Sequence, residues 1–132
     1  MRVLKFLISF LVIGLIFICL MGFIISLLFN KQEESGNLIG VIYLKGVIVN
    51  EEGEGIVDSK YVIKTLDKIK EDKRYKGILL VIDSPGGVAA PSLEISYKIK
   101  KISKEKPVVS YIENLGASGA YYIASASNHI IA

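Results

Sequence analysis

Lys76-Gly77-Ile78-Leu79-Leu80-Val81-Ile82-Asp83-Ser84-Pro85-Gly86-Gly87 is the stretch that decides the fold. From Gly77 to Ile82 no side chain is polar, and the run then ends abruptly on a turn of Asp, Ser, Pro and two Gly. A strand with one wet face alternates polar and apolar residues. A short run that is apolar on both faces belongs to a strand covered on both sides, as in a buried parallel sheet.

The flanking segments fit that reading. Upstream, Asp58 or Ser59 can cap a helix running to about Lys73. In it Val62, Leu66 and Ile69 recur on one face, and Lys60, Lys64, Asp67, Lys68 and Lys70 cover the other. Downstream, Ser92 to about Ser103 is a second amphipathic helix with Ile95, Ile99 and Ile102 in register. Pro107–Ile112 reads as a further strand, Ala117–Ala126 as a small-residue helix and Ile130–Ala132 as the start of another strand. Before them all, Leu38–Val49 is rich in β-branched residues and reads as one strand, or two joined at Gly46. Strands and helices alternating at these lengths predict β-α-β crossovers and a mostly parallel sheet, with any active site at the carboxyl ends of the strands.

The N-terminus is of another kind. Among the 24 residues Phe6–Phe29 only Ser9, Gly14, Gly22 and Ser26 are not apolar, which accounts for much of the chain's 52% hydrophobic content. As a helix this segment is about 36 Å long and spans a hydrocarbon core of about 30 Å. It is longer than a signal-peptide core, and no small-x-small cleavage site follows. The one cysteine, Cys19, lacks the small preceding residue that a lipidation site wants. Residues 1–30 are therefore expected to be a retained anchor, with Arg2 and Lys5 holding the N-terminus in the cytoplasm and the rest of the chain outside. Residues 31–37 read as a polar linker, and residues 38–132 remain for the domain, a tight fit for an α/β unit.

Several function classes drop out. The net charge is +3, and residues 31–132 carry 14 basic and 13 acidic residues, so there is no electrostatic case for nucleic acid. Neither a phosphate-cradling loop nor a dinucleotide fingerprint is present, and no cofactor or metal is expected. One cysteine makes no disulfide framework.

Two segments at predicted strand ends could carry chemistry. In Gly116-Ala117-Ser118-Gly119-Ala120, a Ser between small residues at a strand-to-helix connection can present its hydroxyl as a nucleophile, or can cap the helix that follows. In Asp83–Gly87, the paired glycines can aim backbone N–H groups into a crevice, as an oxyanion hole requires, or can form an ordinary turn. The two fall at adjacent strand ends about 30 residues apart.

Together, Lys76–Gly87, Ala90-Pro91-Ser92-Leu93-Glu94-Ile95, Lys106-Pro107-Val108-Val109 and Ala117-Ser118-Gly119-Ala120-Tyr121-Tyr122-Ile123-Ala124 resemble the signal peptide peptidase A family of membrane-anchored peptidases. That family belongs to the Clp-protease/crotonase superfamily. Gly40–Gly46 and the anchor resemble it too, so nearly the whole chain is covered. The resemblance implies a Clp/crotonase-like fold of β-α-β units, truncated at the C-terminus and preceded by one transmembrane helix, with 38–132 a partial peptidase domain. It implies Ser118 as nucleophile, Gly86 and Gly87 as oxyanion donors, and a neutral lysine as general base. The family carries that lysine well beyond the Ser, whereas this chain stops 14 residues past it. Lys106 lies at the wrong end of its strand, and Lys98, Lys100, Lys101 and Lys104 lie on a polar helix face. His129 reads as a turn residue. Ala120 departs from the Gly of many relatives.

The implied function is cleavage of signal peptides left in the membrane, by a homo-oligomer acting on peptide substrates beside lipid. The 132-residue chain alone is expected to be inactive. The alternatives are a related peptidase partnered with stomatins, from which Asp83-Ser84-Pro85 and Tyr121-Tyr122 incline away, a non-catalytic membrane-anchored module, and, more distantly, an acyl-CoA enzyme.

Overall fold

The computed structural model describes residues 2–29 and 36–132, and most of the expected linker, 31–35, lies outside the described residues. The chain forms two compact units, Met1–Glu33 and Glu34–Ala132.

In the first unit, helix α1 (Arg2–Phe29) is 28 residues long, with no acidic residue in its first turn and no basic one in its last. Its stretch Arg2–Ser26 is long and apolar enough to cross a membrane, and every described side chain in it is exposed. A helix apolar all round has no use for water on any face.

The described residues of the second unit form nine elements. They are β1 (Leu38–Lys45), β2 (Val47–Val49), β3 (Ile56–Asp58), α2 (Ser59–Glu71), β4 (Tyr75–Ser84), α3 (Ala89–Ile102), β5 (Val108–Gly116), α4 (Gly119–Ala124) and β6 (His129–Ile131). The main sheet has the order β1-β4-β5-β6, and β2 and β3 form a second, two-stranded sheet. Every pairing in both is parallel.

The decisive run forms the interior of β4, between β1 and β5. Ile78, Leu80 and Ile82 point to one face and are buried with Ile42 and Leu44 of β1 and Val108 of β5. Against them pack Val62, Leu66 and Ile69 of α2, Ile95, Ile99 and Ile102 of α3, and Ala120, Ile123 and Ala124 of α4. The opposite face differs from the expectation of cover on both sides. There Tyr43, Val81 and Tyr111 lie side by side across three strands. Val81 is buried while its two tyrosine neighbours stay exposed.

One alternative left open by the sequence is decided, and three boundaries depart from the sequence reading for local reasons. Gly46, at φ 103°, breaks Leu38–Val49 into β1 and β2, because a β-carbon there would overlap the carbonyl of Gly55. Strand β3 was not expected: its three residues follow the Glu- and Gly-rich loop and are set by pairing with β2 rather than by their own pattern. Helix α3 starts at Ala89 instead of Ser92, since Pro91 sits in the first turn, where its missing N–H has no intrahelical acceptor to serve. Strand β5 runs to Gly116 instead of Ile112. Its register against β4 moves from Ile82↔Ile112 to Ser84↔Gly116, so β5 carries two extra residues in a bulge. Glu113 and Asn114 of that bulge bind Lys45 and Asp83, the last in-register pair of β1 and β4. The bulge re-aims the end of β5 and brings the Ser118 turn level with the glycine loop.

Candidate active site

The carboxyl ends of β4 and β5 meet. Ser84 faces Gly116 in register, and the Ala117 amide donates to the Ser84 carbonyl at 3.2 Å. The two motif segments thus start from one hydrogen-bonded step.

Ser118 occupies the N-cap position of α4 with φ 50° and ψ −124°, and its side chain makes no capping hydrogen bond. Among the described residues it is the one non-glycine at positive φ. Such a backbone costs about 1–3 kcal/mol and persists only where surrounding structure enforces it. A capping Ser would adopt extended backbone and accept from an amide of the first turn. Ser118 does neither. Its side chain is exposed, and Tyr122 N–H already bonds its carbonyl at 3.0 Å. A serine held on a strained strand-to-helix turn, hydroxyl outward, is the geometry of a nucleophile elbow.

Gly86 stands against this turn. It has φ 96°, and a β-carbon on it would lie 2.9 Å from Ser118 Cβ, 2.9 Å from the Ala117 oxygen and 2.7 Å from the Gly119 nitrogen. Only glycine satisfies both the dihedral and the contact. Gly119 is equally constrained, for its β-carbon would overlap Ser92 Oγ and approach Gly87 N to 3.5 Å. Ser92 is buried and donates its hydroxyl proton to the Val88 carbonyl at 2.9 Å.

The two glycines of the loop have different jobs. Gly86 N–H is already spent on Ser84 Oγ at 3.1 Å, and Gly86 O accepts from Ile48 N–H at 3.0 Å. Val88 N–H donates to Ile48 O at 2.8 Å. The peptide between Gly86 and Gly87 is trans, so the Gly87 N–H points opposite to the Gly86 carbonyl and away from β2. No acceptor for it, nor for Gly119 N–H, exists among the described residues. Gly86 is buried and Gly87 exposed. Of the two expected donors, Gly86 N–H is taken by Ser84 Oγ, and the amides near Ser118 without an acceptor among the described residues are those of Gly87 and Gly119. Gly119 directly follows Ser118, and the amide after a nucleophile is a regular oxyanion donor, a signal carried by its position in the sequence.

No described lysine is poised as a base at Ser118. Burial pushes the Lys106 ammonium below its usual 10.5, the direction a base needs. Yet Lys106 precedes β5 and donates to the Ile69 and Asp72 carbonyls at 2.7 and 2.8 Å, while Ser118 follows the other end of that strand. Nine strand residues separate the ends by about 30 Å. Lys45 is held charged, its proton secured by the hydrogen bond to Glu113. Lys98 is paired with Asp67. His129 pairs with Val109, near the start of β5.

Beside the loop, Val88 is 54% exposed. With Val49, Asn50, Glu51, Ala90, Pro91 and Glu94 it lines an open cavity of about 400 Å³.

Fold and site together define a parallel α/β protein built around a serine on a strained turn facing free amides, carried behind a membrane-length helix. Comparison with known proteins supplies relatives. The model for peptidase family S49 matches residues 100–132. A protein of Methanocaldococcus jannaschii named as a protease is 36% identical over 97% of this chain, which spans 45% of that protein. A protein of Enterococcus faecium named as a signal peptide peptidase SppA is 46% identical over 51% of this chain and 20% of its own length. Among solved structures, the 1510-N membrane protease specific for a stomatin homolog from Pyrococcus horikoshii superposes with a TM-score of 0.55 at 26% identity. That match covers 71% of this chain and 44% of the other. These matches liken the chain to the S49 peptidases and to a relative named as a signal peptide peptidase A protein. It spans less than half the length of the relatives it matches.

Proposed function

We propose that this chain supplies the nucleophile and the oxyanion donors of a membrane-anchored serine peptidase. The observation that carries the reading is Ser118, strained at φ 50° and uncapped, packed against Gly86. Ser118 Oγ attacks the scissile carbonyl carbon while its proton passes to a neutral lysine amine. The carbonyl oxygen becomes an oxyanion and is met by the N–H groups of Gly87 and Gly119, aided by the first turn of α4. The C–N bond then breaks, and the amine leaves with the proton. The base is assigned to a lysine outside these 132 residues, and the chain alone is inactive.

The substrate class is the apolar signal peptide left in the membrane, which the similarity to the SppA-type relative supports. A membrane-length helix raises the local concentration of such substrates at the site. A stomatin-cleaving activity is the second reading, favoured by the likeness to the Pyrococcus enzyme. We assign the N-terminus to the cytoplasm, the second unit to the outer side and the working form to a homo-oligomer.

The test is covalent trapping. The detergent-solubilised chain is treated with a p-nitrophenyl ester, with methylamine supplied as a soluble base, and the acylated residue is located by mass spectrometry. Acylation at Ser118, lost in Ser118→Ala, is the expected result. An adduct whose yield does not depend on Ser118 sinks the assignment. Turnover of a fluorogenic peptide without added base, abolished by Ser118→Ala, overturns the statement that the chain alone is inactive.

A further inference from the structure

Ser84 is fully buried at the end of β4. Its hydroxyl lies 2.6 Å from the Gly46 carbonyl oxygen and 3.1 Å from the Gly86 nitrogen. A carbonyl only accepts and an N–H only donates, so both roles of this hydroxyl are fixed. Oγ–H donates to Gly46 O, and an Oγ lone pair receives Gly86 N–H. The backbone of the same residue accepts from Ala117 N–H at 3.2 Å. Gly46, in turn, donates its amide to the Asp83 carbonyl at 3.0 Å. One residue therefore ties together the β1–β2 junction, the glycine loop and the turn that bears Ser118.

From this we infer that Ser84 is a positioning residue for the oxyanion hole. Resting on the nucleophile reading above, the inference deepens it by naming what orients the donor. Gly86 is held at φ 96° between two anchors, Ser84 Oγ on its nitrogen and Ile48 N–H on its oxygen. With both ends of Gly86 fixed, the next peptide has one orientation, and the Gly87 N–H is left facing the Ser118 side. Removal of Oγ leaves Gly86 N–H buried with no acceptor. That penalty is relieved by rotation of the Pro85–Gly86 peptide, which carries the Gly87 donor off its aim.

The test separates formation of an oxyanion from simple nucleophilicity, and needs no general base. In the full chain with Cys19→Ala, the Ser118→Cys variant places the one thiol at the site. Two reactions of its thiolate are timed. In the first, sulfur attacks the carbonyl of p-nitrophenyl acetate, the C–S bond forms through a tetrahedral oxyanion, and p-nitrophenolate leaves. In the second, sulfur displaces iodide from iodoacetamide with no oxyanion on the carbon attacked. The ratio of the two rates, relative to that of free cysteine, reports the hole. Adding Ser84→Ala is expected to lower the ratio by about 10- to 100-fold, somewhat less than deleting a donor outright. Ser84→Thr, which keeps the hydroxyl, is expected to restore it. Ser110→Ala, which removes another fully buried hydroxyl, bonded to Ser127, is expected to lower stability and leave the ratio alone.

If the Ser118→Cys protein shows no more than the ratio of free cysteine, the oxyanion reading itself fails. If its ratio is raised and Ser84→Ala leaves it unchanged, the positioning role alone fails. Amide hydrogen exchange of the unsubstituted protein checks the same contact should Ser84→Ala not fold. Gly86 N–H is expected to be protected and Gly87 N–H to exchange freely, and equal exchange at the two overturns the inference.

Discussion

Gly86 and Ser118 stand so close that a single added carbon bridges the gap, since a β-carbon on Gly86 would lie 2.9 Å from Ser118 Cβ. Neither residue adopts an ordinary backbone, at φ 96° and 50°. Gly86→Ala is therefore expected to cost about 1–3 kcal/mol from its dihedral alone, and to push the serine turn outward. Urea unfolding measures the first effect. Ester acylation of Ser118 measures the second, with a loss of about 100-fold or more expected if Gly119 N–H leaves its position. An alanine variant of unchanged midpoint and unchanged acylation rate would contradict the close packing of Gly86 against Ser118.

Ser118 also sets stability against chemistry. Ser118→Gly relieves a backbone that L-residues avoid and is expected to stabilise the fold by about 1 kcal/mol. Ser118→Ala keeps the strain and loses a hydroxyl that caps nothing, so its midpoint is expected to stay within about 0.5 kcal/mol of the parent. Both variants abolish acylation at this position. A cap role would instead make Ser118→Ala the destabilised one, by about 1 kcal/mol.

The sequence carried the layers of the fold because its periodicities are strong. Val62, Leu66 and Ile69 recur at helical spacing, the Gly77–Ile82 run is wholly apolar, and both come from burial against the sheet core. What stayed hidden depends on contacts between distant segments. Strand β3 exists through its partner β2. The bulge of Glu113-Asn114-Leu115 is set by Lys45 and Asp83 on other strands. The division of labour between Gly86 and Gly87 rests on Ser84 Oγ, which no local pattern marks. Ser118 could be singled out from its small neighbours. Its strained dihedrals, which separate an elbow from a cap, could not.

The apolar helix makes a prediction independent of the site. A charged residue at the centre of a membrane-spanning helix costs about 2.5–3.5 kcal/mol on insertion scales. Leu15→Arg with Ile16→Lys, both in the Arg2–Ser26 stretch, is expected to move most of the protein into the alkaline-carbonate supernatant, while the unaltered chain stays in the membrane pellet. Recovery of both forms in the supernatant would remove the anchor from the proposal. Protease added outside intact cells is expected to digest the second unit and spare the N-terminus.

Lys106 offers a test by pH. Its ammonium closes the end of α2 by donating to Ile69 O and Asp72 O, where the last turn of the helix leaves carbonyls without intrahelical partners. Lys106→Met keeps most of the packed stem and drops both bonds, so a loss of about 1–2 kcal/mol is expected by urea unfolding. Burial is the main cause of its lowered pKa, outweighing the nearby Asp72 carboxylate. The sign follows from proton counting: with the folded value below 10.5, the unfolded chain holds this proton to higher pH than the native one. Below the folded pKa the cost of burying the charge is present in full. As pH climbs from there towards 10.5 the cost fades, and this group's contribution to stability rises. The difference in midpoint between parent and Lys106→Met should therefore widen across that window in favour of the parent. A difference that stays flat would show that the amine titrates as it does in water.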